Sequence, residues 1–166
     1  MAFVKYFAIL ALFFATALCP ACSGNANSSA NSKAPANANQ ATANVNAVRS
    51  DAGELGVLVN VPYDTEDIVW KEYPSQKRIL AVLRFSPADS SKLVAEAEKI
   101  KPSETISISS ETWFPPELTA QGEMTGEDSL TGRAYPANQF YQEPYSNGRI
   151  VRVDNTDYFV LDLTAK

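Results

Sequence analysis

Residues 78–100 read RILAVLRFSPADSSKLVAEAEKI, and this stretch decides the fold class. Residues 78–85 are apolar on both alternating faces, which predicts a strand in the middle of a sheet. Ser86 and Pro87 indicate a helix start, because serine suits the N-cap and proline suits the first helical position. Leu93 and Ala97 then recur at helical spacing, so we expect a helix over residues 87–100.

Apolar alternation outside this stretch predicts further strands. These are residues 55–61, 68–73, 105–109, 149–153 and 158–163. The last two form a predicted hairpin around Asp154 and Asn155. Strand 78–85, the helix and strand 105–109 fit a crossover unit between parallel strands. We therefore expect an α+β fold, with a mainly antiparallel sheet of about five to six strands and one helix packed on one face.

Residues 111–147 form the least regular part of the sequence. The adjacent prolines Pro115 and Pro116 are expected to exclude helix and central strand there. A long irregular connection in a compact domain is often functional. Its aromatic residues are candidate contacts of a binding surface, namely Trp113, Phe114, Tyr135, Phe140, Tyr141 and Tyr145.

Two other interpretations of residues 111–147 stay open. The acidic residues there could supply oxygen ligands to a cation, although the spacing of an EF-hand is missing and we expect no metal. Alternatively, the aromatic side chains complete the core and the acidic residues keep the segment in water.

Composition excludes several classes of function. The chain has 166 residues, no histidine and a formal net charge of −5. Without histidine there is no Ser-His-Asp triad and no histidine-ligated zinc. The acidic balance argues against binding to nucleic acid. The glycine-rich and nucleophile motifs of nucleotide-binding proteins and hydrolases are also missing, so we expect no cofactor.

The first 22 residues predict export. Lys5 precedes an apolar run over residues 6–18, interrupted only by Thr16. As a helix this run rises about 20 Å, short of the roughly 30 Å hydrocarbon core, so a signal peptide is favoured over a membrane span. The two cysteines of the chain, Cys19 and Cys22, follow directly.

Residues 18–23, LCPACS, resemble the lipobox of bacterial lipoproteins. Ala21 supplies the small residue before Cys22, whereas the leucine usual three residues before the cysteine stands four before it, as Leu18. The resemblance implies a signal peptide over residues 1–21, lipidation of Cys22 and anchoring on the extracytoplasmic side. Ser23 implies the outer membrane where the cell has one. Plain secretion, with cleavage after the small residues 15–17, is the alternative.

Residues 22–50 hold the predicted lipidated cysteine and a tether. Residues 23–48 contain eight alanines and seven asparagines, so we expect this segment to be disordered. The globular domain is predicted over residues 51–166. It holds all 19 acidic residues and 11 of the 14 basic residues, and therefore a net charge of −8.

Two functions from different classes remain. The first is an envelope-anchored lipoprotein with a non-catalytic binding or structural domain, whose partner is an envelope protein or a glycan. The second is a small exported hydrolase of glycans, because glycoside hydrolysis needs only carboxylates. Glu111 or Glu117, close to Trp113, would be its acid.

Overall fold

The computed structural model of the protein describes residues 47–126 and 128–166. Its helices are α1 (Ala52–Leu58), α2 (Pro87–Glu98) and α3 (Pro116–Thr125). Its strands are β1 (Thr65–Tyr73), β2 (Arg78–Phe85), β3 (Glu104–Ser109), β4 (Ser129–Pro136), β5 (Tyr145–Val153) and β6 (Tyr158–Ala165). The α+β class is confirmed, and the described residues contain three α-helices where one was predicted.

The six strands form one sheet in the order β1-β2-β6-β5-β4-β3. Every neighbouring pair is antiparallel, which confirms the predicted sheet type. Strands β2 and β3 run in the same direction, but three strands lie between them. The connection through α2 therefore carries the chain from one half of the sheet to its far edge.

Hydrophobic side chains are buried on both faces of the sheet. On one face, α1 and α2 cover a cluster that includes Trp70, Phe85 and Leu161. On the other face, Leu118 of α3 packs into a cluster with Val151 and Val160. The prediction of a helix on one face alone is wrong, because α3 covers the second face.

Helix α2 agrees closely with the sequence pattern. The Ser86 side chain accepts a hydrogen bond from the backbone N–H of Asp89 at 3.1 Å, which caps the helix. Leu93 and Ala97 are fully buried against the sheet, whereas Ile100, beyond the end of the helix, is exposed. The apolar stripe therefore faces the core as predicted.

The strand predicted over residues 55–61 is wrong, because this segment begins in helix α1. The Asp51 side chain accepts a hydrogen bond from the backbone N–H of Glu54 at 2.8 Å and caps the helix. Leu55 and Val59 are fully buried, while Val57 between them is 73% exposed. A separation of four residues suits one face of a helix as well as it suits alternation, so the pattern alone was ambiguous.

The segment expected to be irregular contains helix α3 and strand β4. Pro115 is the N-cap of α3 and Pro116 its first residue, where the missing N–H of proline is harmless. Strand β4 was missed because Gly132 interrupts its apolar alternation. A Cβ atom at position 132 would collide with the backbone carbonyl of Arg152. It would also lie 2.9 Å from Cγ1 of Val151, so only glycine fits without a shift of the neighbouring strand.

The predicted C-terminal hairpin is confirmed. Strands β5 and β6 pair in antiparallel fashion, and the connecting turn holds Asn155 at a φ of +60°. Asparagine tolerates this left-handed conformation better than most residues. Strand β5 begins at Tyr145, four residues before the predicted start at Arg149.

The segment before α1 is attached to strand β1. The backbone groups of Arg49 and Trp70 exchange two hydrogen bonds of 2.9 and 2.8 Å. The Arg49 guanidinium lies 4.7 Å from the centre of the Trp70 ring, and the indole N–H donates to the carbonyl of Asp51 at 3.0 Å. The packed part of the chain thus includes Arg49, two residues before the predicted boundary.

The signal peptide, Cys22 and most of the tether lie outside the described residues. Within residues 47–126 and 128–166, no helix is long and apolar enough to cross a membrane.

Alanine substitutions at two glycines, one in β4 and one in α1, test how tightly the sheet is packed at β4. We expect Gly132→Ala to lower the free energy of unfolding by about 1–3 kcal/mol, because the added methyl group collides with the neighbouring strand. Gly56→Ala in α1 is the matched control. Its methyl group meets no atom within 4 Å, so stability should stay the same or rise by up to about 1 kcal/mol. Urea unfolding followed by tryptophan fluorescence measures both; equal losses would contradict the tight packing at β4.

Candidate binding site

A carboxylate joins the two edges of the sheet on the α3 face. Glu111 follows β3, the strand at one edge, and Tyr73 ends β1, the strand at the other. The Tyr73 hydroxyl donates to Glu111 Oε2 at 2.5 Å, and the indole N–H of Trp113 donates to the same oxygen at 2.6 Å. One oxygen of Glu111 therefore holds groups from both edges in place.

An ion pair lies close to this bridge. Arg78 Nε donates to Asp162 Oδ1 at 2.6 Å, across the neighbouring strands β2 and β6. Both side chains are partly buried, and this hydrogen bond raises the pKa of the Arg78 guanidinium. The same guanidinium lies 5.6 Å from the centre of the Tyr73 ring, so the ion pair and the bridge are in contact.

Arg78, Glu111 and Asp162 line a cavity of about 280 Å³, which we call the polar cavity. Leu80, Val151 and Val160 form its apolar floor. Its polar lining consists of Arg78, Ser107, Ser109, Glu111, Arg149 and Asp162. Arg149 lies directly opposite Asp162 in the β5–β6 pairing, yet no carboxylate among the described residues lies within 4.0 Å of its guanidinium.

The polar cavity balances two arginines against two carboxylates. Glu111 and Asp162 each use one oxygen for structural hydrogen bonds, and Arg78 uses one of its donors. Among the described residues the Arg149 guanidinium forms no ion pair, so its donors face the cavity. This mixture of donors and acceptors over an apolar floor suits a ligand rich in hydroxyl or amide groups.

The pKa of Tyr73, which donates to Glu111, is raised. Burial of the ring first, and then the hydrogen bond to Glu111, raise the pKa of Tyr73 to about 12. The phenol therefore stays protonated, and donates to Glu111, throughout the physiological pH range.

The structure separates the aromatic residues predicted to bind a partner. Phe114 and Tyr135 are each 4% exposed and lie on opposite faces of the sheet. Trp113 is half-buried beside Phe114, with the ring centres 4.8 Å apart. Tyr141 is half-buried and donates to the carbonyl of Gly148 at 3.0 Å. The predicted residues therefore do not form one surface, although Trp113 belongs to the bridge beside the polar cavity.

The other two aromatic candidates are buried. Phe140 is 1% exposed, and Tyr145 is 5% exposed with its hydroxyl donating to Glu72 at 2.7 Å. Burial together with the hydrogen bond raises the pKa of Tyr145 to about 12. Both rings contribute to the core, as the third interpretation of this segment expected.

The acidic candidates also differ in position. Glu111 lines the polar cavity, whereas Glu117 is exposed in the first turn of α3 and does not line it. No group of three or more acidic or cysteine side chains that could hold a metal ion occurs within the described part of the chain.

Sequence reasoning missed most of the cavity lining. Arg78 and Asp162 are 84 positions apart, so only the β2–β6 pairing brings them together. Asp162 interrupts the apolar strand of residues 158–163, and this single charge was the one available signal.

Comparison of the chain with protein-family models, with curated proteins and with solved structures finds no match.

The Tyr73–Glu111 bridge should make the domain less stable at high pH, because the bridge needs a protonated phenol. The Tyr73 phenol titrates at about 12 in the folded chain and near 10 when unfolded, so the folded state binds more protons between these values. Stability is therefore lost as pH rises from about 10 through 12. Tyr73→Phe should be less stable at neutral pH by about 1 kcal/mol, and its stability should fall less steeply in that window. Urea unfolding between pH 8 and about 12 measures the difference; parallel curves would contradict it.

Proposed function

We propose that the chain is an exported lipoprotein, anchored through Cys22, whose domain binds an envelope partner without catalysing a reaction. The polar cavity is the proposed contact with that partner. The lipobox-like residues 18–23 and the tether composition support the anchor. The domain has no cysteine of its own, which fits a fold that depends on its core in an oxidising compartment.

One observation carries the binding role. Arg149 lines the polar cavity with a guanidinium that forms no ion pair among the described residues, while the carboxylates beside it are held by structural donors. Such an arrangement offers hydrogen bonds to a ligand. A glycan or a polypeptide of the envelope presents the hydroxyl, amide or carboxylate groups that an arginine recognises.

The anchor is tested by intact mass and fractionation. We expect the mature wild-type chain to start at Cys22, to carry a lipid-sized mass increment and to sediment with membranes. Cys22→Ala should lose the increment and become soluble, whereas Cys19→Ala should behave as wild type. A wild-type chain without lipid that is cleaved after Ala17 or Ala21 would overturn the anchor.

The contact is tested by photo-crosslinking in cells. A photoreactive residue in place of Ser109, at the cavity, should give a discrete adduct. The same residue in place of Val57, which is exposed on α1, should give none. Arg149→Ala should reduce the adduct at least fivefold, since the removed guanidinium contacts the partner. Lys166→Ala removes the same charge elsewhere and should leave the adduct unchanged; equal effects of the two variants would contradict the assignment.

A hydrolase remains the second candidate, because Glu111 and Asp162 line the same cavity. Two carboxylates flanking a bound sugar are the minimum for glycoside hydrolysis. Turnover of an envelope glycan that Glu111→Gln abolishes, with the fold intact, would favour this candidate over binding alone. A glycan panel without turnover would eliminate it.

A further inference from the structure

A second cavity lies on the opposite face of the sheet from the polar cavity. It occupies about 570 Å³ between α2 and the turn that joins β5 to β6. We call it the arginine cleft. Its lining is formed by Val94, Glu98, Arg133, Tyr135, Arg152, Val153, Asp154, Asn155, Thr156 and Asp157.

Two arginines stand side by side in the arginine cleft. Arg133 of β4 is the direct cross-strand partner of Arg152 of β5. Like charges directly opposite each other destabilise a sheet, unless another charge compensates them. No carboxylate of the described residues lies within 4.0 Å of either guanidinium, although acidic residues outnumber basic ones in this domain. Arg152 is instead positioned over the Phe159 ring, 6.0 Å from its centre.

Three carboxylates line the same cleft without forming an ion pair with the arginines. Glu98 ends α2, and Asp154 and Asp157 belong to the β5–β6 turn. Across residues 47–126 and 128–166, these three form no ion pair with any basic residue. The cleft thus holds positive charge on the sheet and negative charge on the helix end and the turn. Neither set of charges forms an ion pair with the described residues.

We propose that the arginine cleft binds a small zwitterion, with its anionic group between Arg133 and Arg152 and its cationic group toward the carboxylates. Two guanidiniums on adjacent strands present two planar sets of donors, which match the several oxygens of a phosphate better than one carboxylate. A phosphate joined to an ammonium group by a short linker satisfies both sets of charges. This site is separate from the polar cavity and does not depend on the proposed partner.

The phosphate-ammonium group could come from a soluble metabolite or from a zwitterionic lipid headgroup. O-phosphoethanolamine, inorganic phosphate and ethanolamine are the soluble probes, titrated into the purified chain by calorimetry. We expect O-phosphoethanolamine to bind at least about tenfold more tightly than phosphate, because only the former engages both sets of charges. Vesicles of phosphatidylethanolamine with phosphatidylcholine then separate the two sources: binding to these vesicles that Arg133→Gln weakens assigns the headgroup, and its absence assigns the soluble compound.

Variants assign the binding to the cleft. Arg133→Gln and Arg152→Gln should each weaken O-phosphoethanolamine binding at least about tenfold, whereas Lys166→Gln, which removes a charge outside both cavities, should not. Since each cleft variant removes a repulsion between like charges, the variants should fold and unfold at or above the wild-type temperature. Asp157→Asn should reduce the preference for O-phosphoethanolamine, because it removes one of the three carboxylates, but it should keep phosphate binding.

Three results would overturn the proposal. One is the lack of saturable binding of O-phosphoethanolamine at millimolar concentration. Another is equal affinity for O-phosphoethanolamine and phosphate in the wild-type chain, which would show that the carboxylates take no part. The last is an equal loss of binding in Lys166→Gln and the cleft variants, which would point to a general effect of charge.

Discussion

Burial of both faces of strands β2 and β6 is the constraint on which the structure depends. Along β2, Ile79 and Leu83 enter the core under α1 and α2, while Leu80 and Val82 enter the core on the α3 side. A strand with two apolar faces must be covered twice, so the helices are divided between the faces. Each of these two faces carries one of the two cavities described above.

Charged residues of these apolar strands contribute to the polar cavity. Arg78 begins β2 and Asp162 lies near the end of β6. Both side chains are partly exposed there and line the polar cavity. Partial burial strengthens the ion pair of Arg78 and Asp162 relative to one in water. The Tyr73–Glu111 bridge lies beside this ion pair, because the Arg78 guanidinium contacts the Tyr73 ring. The same side chains thus connect the edges of the sheet and shape the polar cavity. Structure and candidate function share one set of hydrogen bonds.

Local patterns in the sequence sufficed for the fold class, helix α2, the central strand β2 and the C-terminal hairpin. They failed where one pattern fits two structures: the spacing of Leu55 and Val59 suits helix or strand, and a proline can start a helix as well as stop one. Strand β4 was not predicted because Gly132 occupies a buried position of the alternation without an apolar side chain. It packs against the neighbouring strand through its backbone instead. Of the polar cavity, only Glu111 was foreseen, since its other charges come from strands paired across long sequence separations.

The attachment of Arg49 to Trp70 determines where mechanical load would enter the domain. A pull along the chain from the side of residue 48 is first resisted by two backbone hydrogen bonds to the edge strand β1 and by the stacked arginine and tryptophan. Trp70 is fully buried, so its displacement would expose the core beneath α1. Helix α1 and strand β1 would therefore yield before the central strands, and the rest of the sheet would be shielded from tension.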